Sequence, residues 1–116
     1  MPLADLEFEV TDRVVIARVD GEIDMSNADE LGNAFSLRLT NDALGLVVDL
    51  RKVDYLDSAG IHLIYALRER LDNRGQQLRL VVGPEAAISE ALRIANVSRS
   101  VGSFDTVDAA RQSITA

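Results

Sequence analysis

The 116-residue sequence has no cysteine, no tryptophan and one histidine. Without cysteine there is no disulfide framework, no thiolate nucleophile and no zinc–sulfur site. A lone histidine removes multi-histidine metal centres. A carboxylate-only magnesium or calcium site would need an acidic loop with ligand spacing, and no such loop occurs. No apolar run approaches the roughly 18–20 residues that cross a bilayer. The opening MPLADLEFEV is acidic and lacks the basic and apolar regions of a secretory signal. A cytoplasmic protein is therefore expected. Cations are scarce too, with 12 Lys and Arg against 19 Asp and Glu, a net charge of −7. Nucleic acids and anionic membranes are bound through basic patches, so neither is expected as a partner. The acidity itself reads as solubility.

Enzyme signatures are missing as well. None of the seven glycines forms a P-loop or a G-x-G-x-x-G turn. Ser58 lacks the first glycine of a nucleophile elbow, because position 56 is Leu56. His62 lies one helical turn beyond Ser58, but a serine at a helix start turns its hydroxyl toward the backbone amides. His62 therefore reads as an exposed or half-buried helix residue. The carboxylates Asp24 and Asp57 read as caps or loop residues rather than an acid–base pair. No enzyme activity and no cofactor are expected.

What the chain does contain is alternation. Leu6–Val10 and Val14–Val19 predict a hairpin around Thr11-Asp12-Arg13. Asp20–Asp24 predicts a turn and a short extended piece. Ser26 and Asp29 form a relative of the capping box, followed at helical spacing by Ala28, Leu31, Ala34, Phe35 and Leu39. Leu44–Leu50 reads as a central strand buried on both faces. A helix runs to about Asn73, with Gly60, Leu63, Ile64, Leu67 and Leu71 inward and Gly75 as its left-handed stop. Gln77–Val82 predicts a strand ended by Gly83-Pro84. Glu85–Ala95 predicts a third helix with Ala87, Ile88, Ala91, Leu92 and Ala95 inward. Val101–Phe104 predicts a short strand, and Thr106 caps a last helix carrying Val107, Ala110 and Ile114. The order β-β-α-β-α-β-α-β-α implies one α/β domain over residues 1–116. Its sheet would be mixed, mostly parallel, of four to five strands, with about four helices packed on it.

The chemical interest lies at Asp57-Ser58-Ala59-Gly60, where a strand runs into a strong amphipathic helix. Asp and Ser both lead the N-cap ranking, so either one caps the helix. Capping needs only one of them, and it does not explain the small pair Ala59-Gly60 behind the hydroxyl. Those residues would leave Ser58 sterically open and allow another backbone to come close. Ile61 and Tyr65 start a second stripe beside the inner one. Either a broad inner face buries them, or they form an apolar patch flanking the hydroxyl.

Three stretches, GEID at Gly21–Asp24, LVVDLRKVDYLDSAGIHLI at Leu46–Ile64 and DTVDAARQSI after Phe104, resemble the STAS domain of bacterial anti-sigma-factor antagonists. The second is the specific one. The resemblance implies a phosphorylatable serine at Ser58, the position after the Asp. It implies an anti-sigma factor with serine kinase activity as partner, bound by the unmodified protein so that a sigma factor is released. It further implies a metal-dependent serine phosphatase that resets the switch. Glu22, Asp24, Asp57, Ser58, Ala59, Gly60, Ile61 and Tyr65 are the implied partner-binding residues. Relatives often carry a second hydroxyl after the acceptor; Ala59 removes that alternative here. Other uses of the fold stand beside this one: a subunit of a stress-signalling or lipid-transport assembly, which would self-associate, or a nucleotide or small-molecule sensor. Weak self-association is compatible with the switch as well. The end of an anion transporter is disfavoured by the short chain without a membrane segment.

Overall fold

The computed structural model describes residues 4–116; residues 1–3 of the expected domain lie outside it. Strands β1 (Ala4–Thr11) and β2 (Val14–Ile23) form the hairpin. Its turn is tighter than expected: Thr11 pairs with Val14, leaving only Asp12 and Arg13, with φ of 55° and 65°. Two left-handed residues suit the strand twist, though glycine or asparagine usually occupies them. Here both side chains are anchored elsewhere. Arg13 donates two hydrogen bonds to the Asp42 carbonyl at 3.0 and 2.8 Å, and Asp12 pairs with Arg111 at 2.8 Å.

The remaining elements are α1 (Ala28–Arg38), β3 (Gly45–Leu56), α2 (Ser58–Asn73), β4 (Gln77–Val81), α3 (Ser89–Ile94), the single turn α4 (Val97–Ser100), β5 (Gly102–Phe104) and α5 (Val107–Thr115). The five strands lie in the order β1-β2-β3-β4-β5. Only the β1–β2 pair is antiparallel. This is the mixed, mostly parallel α/β sheet expected from the alternation.

Alternating side chains divide the sheet into two faces. Val15, Ala17, Leu46, Val48 and Leu80 face α1 to α4 and meet Phe35, Ile64, Leu67 and Leu92. Val14, Ile16, Val47 and Val81 face the other way, where α5 covers them with Ala110 and Ile114. β3 is buried on both sides from Gly45 to Leu50, as its apolar run predicts.

Four expectations need correction. β2 does not end at Val19. It continues to Ile23 through two register shifts, with Gly21 at φ 124°, so most of the expected turn is bulged strand. β3 likewise runs on to Leu56, because Val53 and Leu56 still point inward. The first helix starts at Ala28 rather than Ser26. The Ser26 N–H and hydroxyl donate to Asp24 Oδ1 at 2.8 and 2.6 Å, an Asx turn that competes with the capping box. The third helix starts at Ser89 rather than Glu85, since residues 85–88 form turns in which Ala87, expected inward, is exposed; beyond its end Asn96, at φ 59°, separates it from α4.

Candidate functional site

The site forms where β2 and β3 both run past the helices at one end of the sheet. Glu22 lies opposite Tyr55 and Ile23 opposite Leu56. The Asp57 N–H then donates to the Ile23 carbonyl at 3.3 Å. The Gly21–Asp24 stretch and the start of α2 are thus held side by side. Glu22 and Asp24 belong to the stretch that adjoins Asp57 at the entrance of α2.

Which residue caps α2 is now resolved. Asp57 has extended backbone, and its Oδ1 accepts from the N–H groups of Ala59 at 2.9 Å and Gly60 at 3.3 Å. This satisfies two of the free amides of the first turn. Ser58 follows as the first helical residue and is exposed. With the cap supplied by its neighbour, the hydroxyl forms no hydrogen bond among the described residues. It belongs to an exposed residue at the start of a side-chain-capped helix.

Ala59 is half-buried, whereas Gly60 is buried. A Cβ on Gly60 would lie 2.7 Å from Leu56 Cγ and 3.2 Å from Ile23 Cγ2. Gly60 therefore lets α2 descend onto the ends of β2 and β3, and so sets the height at which Ser58 stands. Ile61 and Tyr65 are half-buried against the core, which favours the broad inner face. Tyr65 also donates its hydroxyl to the Ala95 carbonyl at 2.7 Å, tying α2 to the end of α3.

Sequence reasoning passed over three neighbours. Asn27 is buried at 6% exposure. Its side chain donates to the Glu22 carbonyl at 2.9 Å and accepts from the Asp24 N–H at 3.0 Å, fixing the loop before α1. Tyr55 and Met25 are the exposed apolar residues at this end, Met25 at 83%. Met25 stands at the mouth of a groove between α1 and α2, about 630 Å³, walled by Ala28, Gly32, Ala59, His62 and Leu63. Small residues on facing helices make this groove, and Ala59, which follows Ser58 in the chain, lines it. An exposed methionine three residues before a helix was the available signal.

A second hollow of about 460 Å³ lies on the α5 side of the sheet, among Arg18, Asp20, Asp49, Arg51 and Lys52. Its arginines are engaged. Arg51 holds the buried Asp49 through both carboxylate oxygens at 2.9 and 2.8 Å, and Arg18 pairs with Glu9 at 2.7 Å. No helix is long and apolar enough to cross a membrane among the described residues.

A five-stranded sheet with one antiparallel edge and four helical segments on one face, α5 covering the other, is a STAS-type fold. The STAS-domain family model matches residues 5–110, and the chain belongs to that family. An anti-sigma factor antagonist from Mycobacterium paratuberculosis has the same fold at TM-score 0.86 and 25% identity, over 97% of this chain and 95% of that one. A sulfate transporter family protein from Wolinella succinogenes matches at TM-score 0.75 and 23% identity, over 92% and 88%. The Bacillus cell fate determinant SpoIIAA in its phosphorylated form matches at 0.69 and 17%, over 95% and 99%.

Proposed function

We propose that this protein is an anti-sigma-factor antagonist, a single STAS domain that binds a kinase-type anti-sigma factor through the start of α2 and is released by phosphorylation of Ser58. The observation that carries the reading is the division of labour between Asp57, which caps, and Ser58, which stays exposed. The similarity to the Mycobacterium antagonist, and to a relative that exists in a phosphorylated form, supports it. A metal-dependent phosphatase would reset the switch. Glu22, Asp24, Met25, Tyr55 and Ala59 form the surface around the hydroxyl that a partner would cover.

The physics suits a switch at the interface rather than in the fold. A phosphoryl group adds about 1.5–2 negative charges and three acceptor oxygens. At a helix start the macrodipole favours such charge, so the domain stays folded. Its neighbours Glu22, Asp24 and Asp57 are all acidic, and a partner shaped for a hydroxyl meets both bulk and charge. Moving from mostly bound to mostly free takes about 5.5 kcal/mol of differential affinity. Steric overlap and desolvation of a dianion are of that order.

The test is direct. With the cognate kinase and ATP the protein should gain the mass of one phosphoryl group. Ser58→Ala should gain none and keep the kinase bound, and Ser58→Asp should bind it weakly. Stoichiometric phosphate on Ser58→Ala would refute the assignment. The likeness to a sulfate transporter family protein favours a second reading, a module of a larger assembly. Stable self-association in size-exclusion chromatography, with no kinase binding, would support that reading instead.

A further inference from the structure

We propose that His62 is the in-chain partner of the phosphoryl group on Ser58, an ion pair spanning one helical turn that forms only after modification. The inference rests on the phosphorylation reading above and adds a residue that reading does not contain. Ser58 opens α2, His62 stands four positions on, and both are exposed. Residues at i and i+4 share a helix face, with Cβ atoms about 5–6 Å apart. A helical side chain also leans back over the turn that precedes it. Such a lean would carry the imidazole of His62 toward Ser58; His62 and Ala59 both line the α1–α2 groove. Ala59 presents only a methyl group, so it raises no barrier beside the pair.

The charges around this turn leave few alternatives. From the β2–α1 stretch come Glu22 and Asp24, from the cap Asp57, and across the groove from α1 comes Asp29, all acidic. Arg70 lines the far end of the groove, but it stands twelve positions along α2 from Ser58, roughly 18 Å of helix. Arg51 and Lys52 line the hollow on the α5 side of the sheet. A phosphoryl group on Ser58 would enter an acidic neighbourhood in which the basic side chain one turn away is His62. Protonated His62 would favour the dianion and offset part of its charge.

The experiment uses the full chain with phosphoserine placed at position 58 by genetic encoding, so no kinase is needed. The ³¹P signal is followed against pH, near the second phosphate ionisation at about 6. In His62→Gln the midpoint should rise by about half a unit relative to the unchanged sequence, because an opposite charge is lost. In Arg70→Gln it should stay put. Circular dichroism checks that both exposed substitutions leave the fold intact. Equal midpoints with and without His62 would overturn the pair, and so would an equal rise in Arg70→Gln, which would mark a diffuse field. A kinase that fails to label Ser58 would instead count against the phosphorylation reading alone, since the pair is measured without it.

Discussion

Asp57 Oδ1 accepts the backbone N–H of Ala59 at 2.9 Å, and this bond frees the serine between them. The two residues best suited to cap α2 are adjacent, and the carboxylate takes the task. Asp57→Ala should therefore cost about 1 kcal/mol of stability, the usual worth of a cap. Ser58→Ala should stay within about 0.5 kcal/mol, as for an exposed residue without partners. Urea unfolding of the two variants measures both. A larger loss at Ser58 would mean that the hydroxyl is structural.

Gly60→Ala should destabilise by about 1–3 kcal/mol, since the new methyl overlaps Leu56 Cγ at 2.7 Å in a packed interior. Gly83→Ala, with nothing within 4 Å of its Cβ, is the control and should be near neutral. Relief of the clash requires α2 to lift from the strand ends. Gly60→Ala should thus also disturb the amide signals of Asp57 and Ser58 in NMR, while Gly83→Ala leaves them in place.

The order of elements was legible because hydrophobic period and turn residues state it locally. Val14–Val19, Leu44–Leu50 and the stripe Gly60, Leu63, Ile64, Leu67, Leu71 all carry that local signal, and all but the half-buried Arg18, Leu44 and Leu63 are buried. Thr106 caps α5 by accepting from the Ala109 N–H at 3.1 Å, again a local rule. What could not be read depended on distant partners. β2 extends past Gly21 only because β3 lies beside it with Tyr55 and Leu56. The capping box at Ser26 lost to Asp24, whose position depends on Asn27 reaching the Glu22 carbonyl. Ala87, Ala91 and Ala95 suit a helix from Glu85, yet the chain turns over residues 85–88, where the Ser89 hydroxyl donates to the Ala86 carbonyl, and the helix begins only at Ser89. At the site, the grouping of Glu22 and Asp24 with Asp57 followed from parallel pairing of β2 with β3. The groove at Met25 did not, because helix–helix spacing is set by Gly32 meeting Leu63 across the interface, where a Cβ would lie 3.0 Å from Leu63 Cδ1.

Tyr65→Phe should cost about 0.5–1.5 kcal/mol, because it leaves the Ala95 carbonyl without its partner at 2.7 Å. The loss should be local. α3 and α4 are short, and the break at Asn96 leaves each with few helical bonds of its own. Hydrogen exchange should therefore quicken in α3 and α4 while β2 and β3 keep their protection. Uniform acceleration across the sheet would show that the bond supports the whole domain.

The final prediction concerns acid. Burial acts to raise the pKa of Asp49, but it is outweighed by hydrogen bonds from the Arg51 guanidinium and backbone N–H and by the charges of Arg51 and Arg18, so the carboxyl titrates below its ordinary 3.8. A folded value below the unfolded one means that the ionised carboxylate stabilises the fold. That contribution is complete above the unfolded value and is lost as the pH falls through the folded one. Arg51→Met removes both side-chain bonds and the charge of Arg51, leaving only the residue-51 N–H and Arg18 to oppose burial. Acid unfolding of Arg51→Met, followed by circular dichroism, should begin at a higher pH than that of the unchanged protein. In an Asp49→Asn background there is no carboxyl left to titrate at this place. Adding Arg51→Met there should then leave the acid limb where it was, and a shift of equal size in both backgrounds would show that Arg51 acts through some other group.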